Sequence, residues 1–251
     1  MEESSLVSTG AFALLGLGLI FGLKHAMEVD HVVAVSTIVS QHRSVLRATL
    51  VGGLWGAGHT LSLVLVGLLV LVFRVAIPAT VASWLEFGVA LMIIALGVLA
   101  VCRVFRRRPD VHLHEHNHDG QLHVHIHFHE DGTEHGRPVS NPSPHSHSIS
   151  RIGFKPFLVG AMHGLAGSAA LTLLVLTQIQ SIWLGLLYLL LFGIGSTIGM
   201  LLMSGLIGLP FALSARRLTG INYGLQTAAG VVSIAFGGWY AYATGVAGSL
   251  W

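Results

Sequence analysis

The chain has 251 residues, 53% of them hydrophobic and 10% charged, with a formal net charge of +2 and a mean hydropathy of +0.75. Soluble domains carry about 25% charged residues, so this composition excludes one and indicates an integral membrane protein of several spans. A single cysteine, Cys102, excludes an intrachain disulfide, a thiolate metal cluster and a paired-thiol redox carrier.

The acidic start, Met1-Glu2-Glu3-Ser4-Ser5, lacks the basic region of a cleaved signal peptide, so the first apolar run reads as a retained span. Six apolar runs cover residues 9–39, 48–73, 81–104, 154–178, 182–213 and 218–246, each longer than the ~20 residues that cross a bilayer. The expected fold is all-α, with six transmembrane helices. Near the middle of the first run stands Lys24-His25-Ala26-Met27-Glu28-Val29-Asp30-His31. Charged groups at bilayer depth are costly and mark a functional site by default. At about 100° per residue, His25, Glu28 and His31 share an arc of about 120°, while Asp30 points away. One regular helix cannot bring all four to one ion. Either the helix unwinds here, or Asp30 orients a ligand histidine without touching the ion; residues 9–39 are long for one straight helix, which tilts or, as we favour, breaks near this cluster. Lys24 could pair with Glu28, and mutual neutralisation of these charges inside a bundle is the bland alternative. His42, beside Arg43, reads as a solvated loop residue.

The second run carries Trp55-Gly56-Ala57-Gly58-His59-Thr60. After the third run the chain turns polar from Arg106 to Arg151, and this loop holds eleven of the sixteen histidines. Its first part alternates with period two, as a strand does, around Asp119-Gly120, a two-residue hairpin signal. Cross-strand partners would then sum to 239, setting His112 opposite His127, His114 opposite His125 and His116 opposite His123. His112, His114, His116, His118, His123, His125, His127 and His129 would form an accessory metal site, ordered as a ribbon or disordered as a metal-binding tract.

The fourth run contains Gly160-Ala161-Met162-His163, matching Gly22-Leu23-Lys24-His25 at an offset of 138. The fifth contains Phe192-Gly193-Ile194-Gly195-Ser196-Thr197, matching Trp55–Thr60 at an offset of 137. These matches suggest two inverted three-helix repeats, over residues 1–105 and 153–251, joined by a His-rich loop over 106–152; chance similarity of glycine-rich helices is the alternative. Ser168 and Ser196 are candidates for a counterpart site in the second repeat. Of the 13 basic residues, 11 follow runs 1, 3 and 5. The positive-inside rule then puts those loops, including the His-rich one, in the cytoplasm and both termini outside the cell membrane.

Imidazole and carboxylate without thiolate suit divalent first-row metals such as nickel, cobalt and zinc. His25, Glu28, Asp30, His31, His59 and His163 are the candidate ligands. His25-Ala-Met-Glu-Val-Asp30-His31 has the form H-x4-D-H and resembles the signature of the nickel/cobalt transporter family (NiCoT), in its UreH-like branch. Trp55-Gly-Ala-Gly-His59-Thr60-Leu61 looks like the second motif of that family. Gly160-Ala-Met-His163-Gly164-Leu165-Ala166-Gly167-Ser168-Ala169-Ala170 is similar to a later helix region of the UreH-like members. Longer family members usually have eight spans and an Asp where this chain has Glu28.

The resemblance implies transport of Ni²⁺ or Co²⁺, with the H-x4-D-H residues essential for handling the metal. The function expected is transmembrane transport of a divalent transition metal, nickel first, with cobalt and zinc as further cargo and no prosthetic group. The alternative is a non-transporting accessory protein that sequesters nickel, with nickel-enzyme maturation proteins as partners. No enzyme is expected: an H-E-x-x-H protease needs Glu where Ala26 stands. No nucleic-acid partner is expected either, because the arginines lie at membrane edges.

Overall fold

The computed structural model describes residues 2–74, 77–106, 110–118, 121–129, 153–166, 179 and 181–247; for 2–12, the two strands, 216, 217 and 219 it describes the backbone alone. The described residues form helices α1 (Glu2–His25), α2 (Val29–Val39), α3 (Val45–Phe73), α4 (Ala79–Arg106), α5 (Lys155–Ala166), α6 (Ile182–Arg217) and α7 (Thr219–Ala247), with strands β1 (Asp110–His118) and β2 (Gln121–His129) between α4 and α5. Three of them, α3, α4 and α6, are long and apolar enough to cross a membrane, and Ala13–His25 and Val29–Val39 are shorter apolar helices. The helical part is that of a membrane protein. The expected fourth span is helical as far as Ala166; its continuation to Gln178, with Ser168, lies outside the described residues.

The first apolar run is two helices. The amides of Met27 and Glu28 bond back to the carbonyls of Lys24 and His25, both at 3.0 Å, and tighten the end of α1. Glu28 then turns extended, with φ −63° and ψ 148°, and α2 starts at Val29. Non-helical backbone at bilayer depth is tolerated only where protein buries it or it lines a cavity. Asp30 falls in the first turn of α2, where the helix dipole favours a negative charge.

Helix α6 is central, packed on α1 and on α3; α3 also packs on α5, and α4 on α7. Between helices already surrounded by lipid there is little hydrophobic drive, so small residues and close backbone approach hold the bundle. A Cβ at Gly22 would stand 2.0 Å from the Phe192 carbonyl oxygen, and one at Gly160 1.9 Å from that of Trp55. At Gly195 the obstacle is the Leu19 carbonyl, at 2.3 Å; at Gly58 it is that of Phe157, at 2.1 Å. Thr60 donates to the Gly193 carbonyl at 2.9 Å. Its one proton is thereby committed, so Thr197 donates to the Thr60 Oγ1, also at 2.9 Å.

Helix α2 docks on α7 through Thr37, which bonds Ser233, and through Ser233 donating to the Val33 carbonyl at 3.3 Å. An apolar core of Val33, Val39, Val51, Trp55, Ile93 and Met200 fills the space between α2, α3, α4 and α6. Arg103 donates to Gln41, so the α2–α3 turn and the C-terminal end of α4 lie at one end of the bundle. Strands β1 and β2 pair antiparallel, with His112 opposite His127, His114 opposite His125 and His116 opposite His123. This is the register that a two-residue turn at Asp119-Gly120 requires; those two residues lie outside the described ones.

Candidate metal centre

Four histidines meet at the break between α1 and α2. His25 ends α1, His31 sits in α2, His59 comes from α3 and His163 from α5. All four are buried. His31 is the middle of the group: its ring centroid lies 4.3 Å from His25, 4.3 Å from His163 and 5.2 Å from His59. Trp55 and Phe192 wall the cluster, Trp55 at 5.3 Å from His31 and Phe192 at 5.5 Å from His25.

Asp30 joins the two halves of the chain. Its Oδ1 lies 3.0 Å from His31 Nδ1 and its Oδ2 lies 3.0 Å from His163 Nε2. An ionised carboxylate only accepts hydrogen bonds, so both ring nitrogens carry protons and donate to Asp30. That fixes the tautomers and leaves the lone pairs on His31 Nε2 and His163 Nδ1. Those two atoms, with His59 Nδ1, are buried with no hydrogen-bond partner among the described residues. A buried polar atom without a partner costs about 1–3 kcal/mol, and His31 Nε2 and His163 Nδ1, which keep their lone pairs, are good metal donors.

Two groups have ligand atoms mutually within 4.8 Å: His25, His31 and His59; and Asp30, His31 and His163. His31 belongs to both. His25 Nε2 and His59 Nε2 are 3.2 Å apart. Two nitrogens sharing an ion at bonds of about 2.0–2.1 Å lie about 2.8–3.4 Å apart across octahedral and tetrahedral geometry. The spacing suits a metal already. Asp30 and His25 fall in different groups even though the helix is broken between them.

The other expected residues lie nearby or apart. Glu28 Oε2 is 3.0 Å from His25 Nδ1, so Glu28 faces His25. Ser196 is buried where α6 crosses α1 at Gly22, and its hydroxyl has no partner among the described residues. Ser168 lies outside the described residues. His42 stands in the α2–α3 turn; burial, and then the Arg47 charge, hold its pKa below the usual histidine value, so it is neutral at neutral pH. Sequence reasoning missed Glu86, a carboxylate in α4 that shares a cavity with Glu28 and Asp30. Its signal was an acidic residue inside the third apolar run.

Asp30→Asn tests the geometry directly. An amide oxygen can accept one of the two ring protons, while the amide NH₂ opposes the other. The substitution is expected to weaken nickel binding by about 10–100-fold, as loss of an orienting carboxylate does elsewhere. Equilibrium binding of radionickel to the purified protein checks it, with circular dichroism to show that the helices are kept.

The comparisons with known proteins agree with this chemistry. A family model described as NicO, "High-affinity nickel-transport protein", matches residues 11–239. A protein of Bacillus sp. (strain TB-90), "Urease accessory protein UreH", is 38% identical over 246 residues, which is 98% of this chain and 96% of the relative. No solved structure matches the chain.

Proposed function

The chain belongs to the NicO family of high-affinity nickel-transport proteins, and on that premise we propose that it carries a divalent transition metal, nickel first, across the cell membrane. Transporters and accessory proteins make up this family, which is not one of enzymes. One observation carries the reading: two ligand groups drawn from four helices share the buried His31. An ion can pass from Asp30, His31 and His163 to His25, His31 and His59 without leaving imidazole. Cobalt and zinc suit the same donors.

The reading extends to the architecture. Six spans form two inverted repeats whose axis passes between Thr60 and Thr197. The paired contacts support it: Gly22 with Phe192 is the counterpart of Gly160 with Trp55, and Gly195 with Leu19 that of Gly58 with Phe157. The basic loops face the cytoplasm, and the bond from Arg103 to Gln41 supports placing two of them at one end. The His-rich ribbon then lies in the cytoplasm, where its histidines buffer metal.

Accumulation of radionickel in cells with and without the protein, and with His25→Ala or His31→Ala, tests this. Higher accumulation that both variants abolish is expected. A second reading has one observation in its favour, the similarity to a urease accessory protein. On it the protein sequesters nickel for the maturation of a metalloenzyme, and accumulation would be unchanged by either variant while the loop is intact. Protons compete with the ion for neutral imidazole. Binding is therefore expected to be full at neutral pH and to weaken as pH falls through about 6, which a pH series of radionickel binding measures.

A further inference from the structure

We propose that the cavity beside the histidine cluster is an access vestibule for a hydrated divalent cation, in which Glu86 of α4 receives the ion ahead of Asp30. This rests on the metal-transport reading above. The cavity has a volume of about 630 Å³ and lies between the start of α2, α4 and α7, edged by Glu28, Asp30, Ser83, Glu86, Tyr240 and Thr244. Three of its lining side chains are carboxylates and none is a lysine, arginine or histidine. Carboxylates with no Lys or Arg facing them in a membrane bundle favour a positive occupant, so the occupant that suits the space is a cation. An ion with six waters, at about 30 Å³ each, needs about 200 Å³. It fits without first losing its hydration shell.

Asp30 is common to the cavity and to the cluster. It edges the cavity, and its two oxygens hold His31 and His163. The remaining ring nitrogens of those histidines are buried without a partner among the described residues. An ion reaching Asp30 therefore finds imidazole donors to replace its waters. Glu86 lies within electrostatic range of Asp30, and the Glu28 side chain is 46% exposed, so the carboxylates form a graded path from the surface inward. Glu86 is seven residues past Ala79, about 10 Å along α4, near the end opposite Arg103 and Arg106. In the proposed orientation the vestibule opens outside, where it admits an ion from that side.

The test measures radionickel uptake by cells expressing the full chain, as wild type, Glu86→Gln, Glu86→Asp and His31→Ala. At low ionic strength Glu86→Gln is expected to raise KM about 3–10-fold with Vmax within about twofold, because a lost vestibule charge lowers local cation concentration. The difference should narrow at high salt, where the screening length drops to about 3 Å at 1 M, and Glu86→Asp should restore KM. An unchanged KM in Glu86→Gln, a fall in Vmax alone, or a Glu86→Asp KM as high as that of Glu86→Gln overturns the proposal. In a Cys102→Ser background, Ala243→Cys should react with a membrane-impermeant cationic thiol reagent applied to intact cells, and nickel should slow the reaction. Labelling only after permeabilisation, or none, overturns the outward opening. Wild-type protein that carries no nickel would sink the transport reading itself. Transport that His31→Ala abolishes and Glu86→Gln leaves untouched would sink the vestibule alone.

Discussion

Replacing His31 with alanine is expected to reduce nickel affinity at least about 100-fold, the largest loss for any single cluster histidine, since even groups outside the coordination sphere cost 10–100-fold. The reason is its shared position. His25→Ala leaves Asp30, His31 and His163 as a complete group, and His163→Ala leaves His25, His31 and His59. His31→Ala leaves neither. The ring also presents its Nδ1 proton to Asp30, so its loss frees the carboxylate that orients His163. Equilibrium radionickel binding to the three variants gives the order. His31→Gln, which keeps most of the volume of this fully buried ring, separates lost ligation from a packing defect: both His31 variants should fail to bind while the glutamine variant keeps its thermal stability. Affinity of His31→Ala within about threefold of wild type, less than 1 kcal/mol, would remove the shared-ligand reading.

Gly160→Ala and Gly22→Ala are expected to destabilise the bundle by more than the about 1–3 kcal/mol of ordinary side-chain overpacking. In both cases the new methyl collides with a helix carbonyl, at 1.9 Å for Gly160 against Trp55 and 2.0 Å for Gly22 against Phe192. A flexible side chain could rotate away; a backbone carbonyl inside a helix cannot. The helices must separate, α5 from α3 in one case and α1 from α6 in the other. His163 and His25 each stand three residues further along the displaced helix, so nickel binding should fall along with stability. Gly88→Ala and Gly238→Ala are the controls. A Cβ at either meets nothing within 4 Å, and alanine is favoured over glycine in a helix interior by about 1 kcal/mol. Thermal unfolding in detergent compares the four. Gly160→Ala with a wild-type midpoint would show that α3 and α5 are not in close contact.

Much of the site could be read from the chain because membrane burial makes polarity conspicuous. In an apolar run, His25, Glu28, Asp30 and His31 stand out at once, because charged groups at bilayer depth are costly, and His59 and His163 are each the sole histidine of their run. The length of the first run, residues 9–39, favours a break near the polar cluster, whereas helical phase alone also allows a straight helix in which Asp30 only orients a ligand histidine. The strand register followed from period-two alternation around Asp119-Gly120, which fixes cross-strand partners by arithmetic. Glu86 did not stand out. A lone carboxylate seven residues into a span resembles any acidic group reaching for the membrane surface, and only its neighbours distinguish it.

Local sequence thus determined the composition of the protein's interior: which runs are apolar and which ionisable groups they contain. Those properties depend on side-chain solvation and on spacing along one element. Tertiary structure decided who meets whom. The extended Glu28 resets the helical phase between His25 and Asp30, so the direction of each side chain depends on a backbone angle that no periodicity encodes. The pairing of Asp30 with His163, 133 residues away, depends on how closely α5 approaches α3 at Gly58, Gly160 and Gly164. The placing of Glu86 beside Asp30 depends in turn on α4 and α7 closing around the break. The polar stretch supplies His25, Asp30 and His31, and close helix packing brings His59 and His163 to them in two groups around His31.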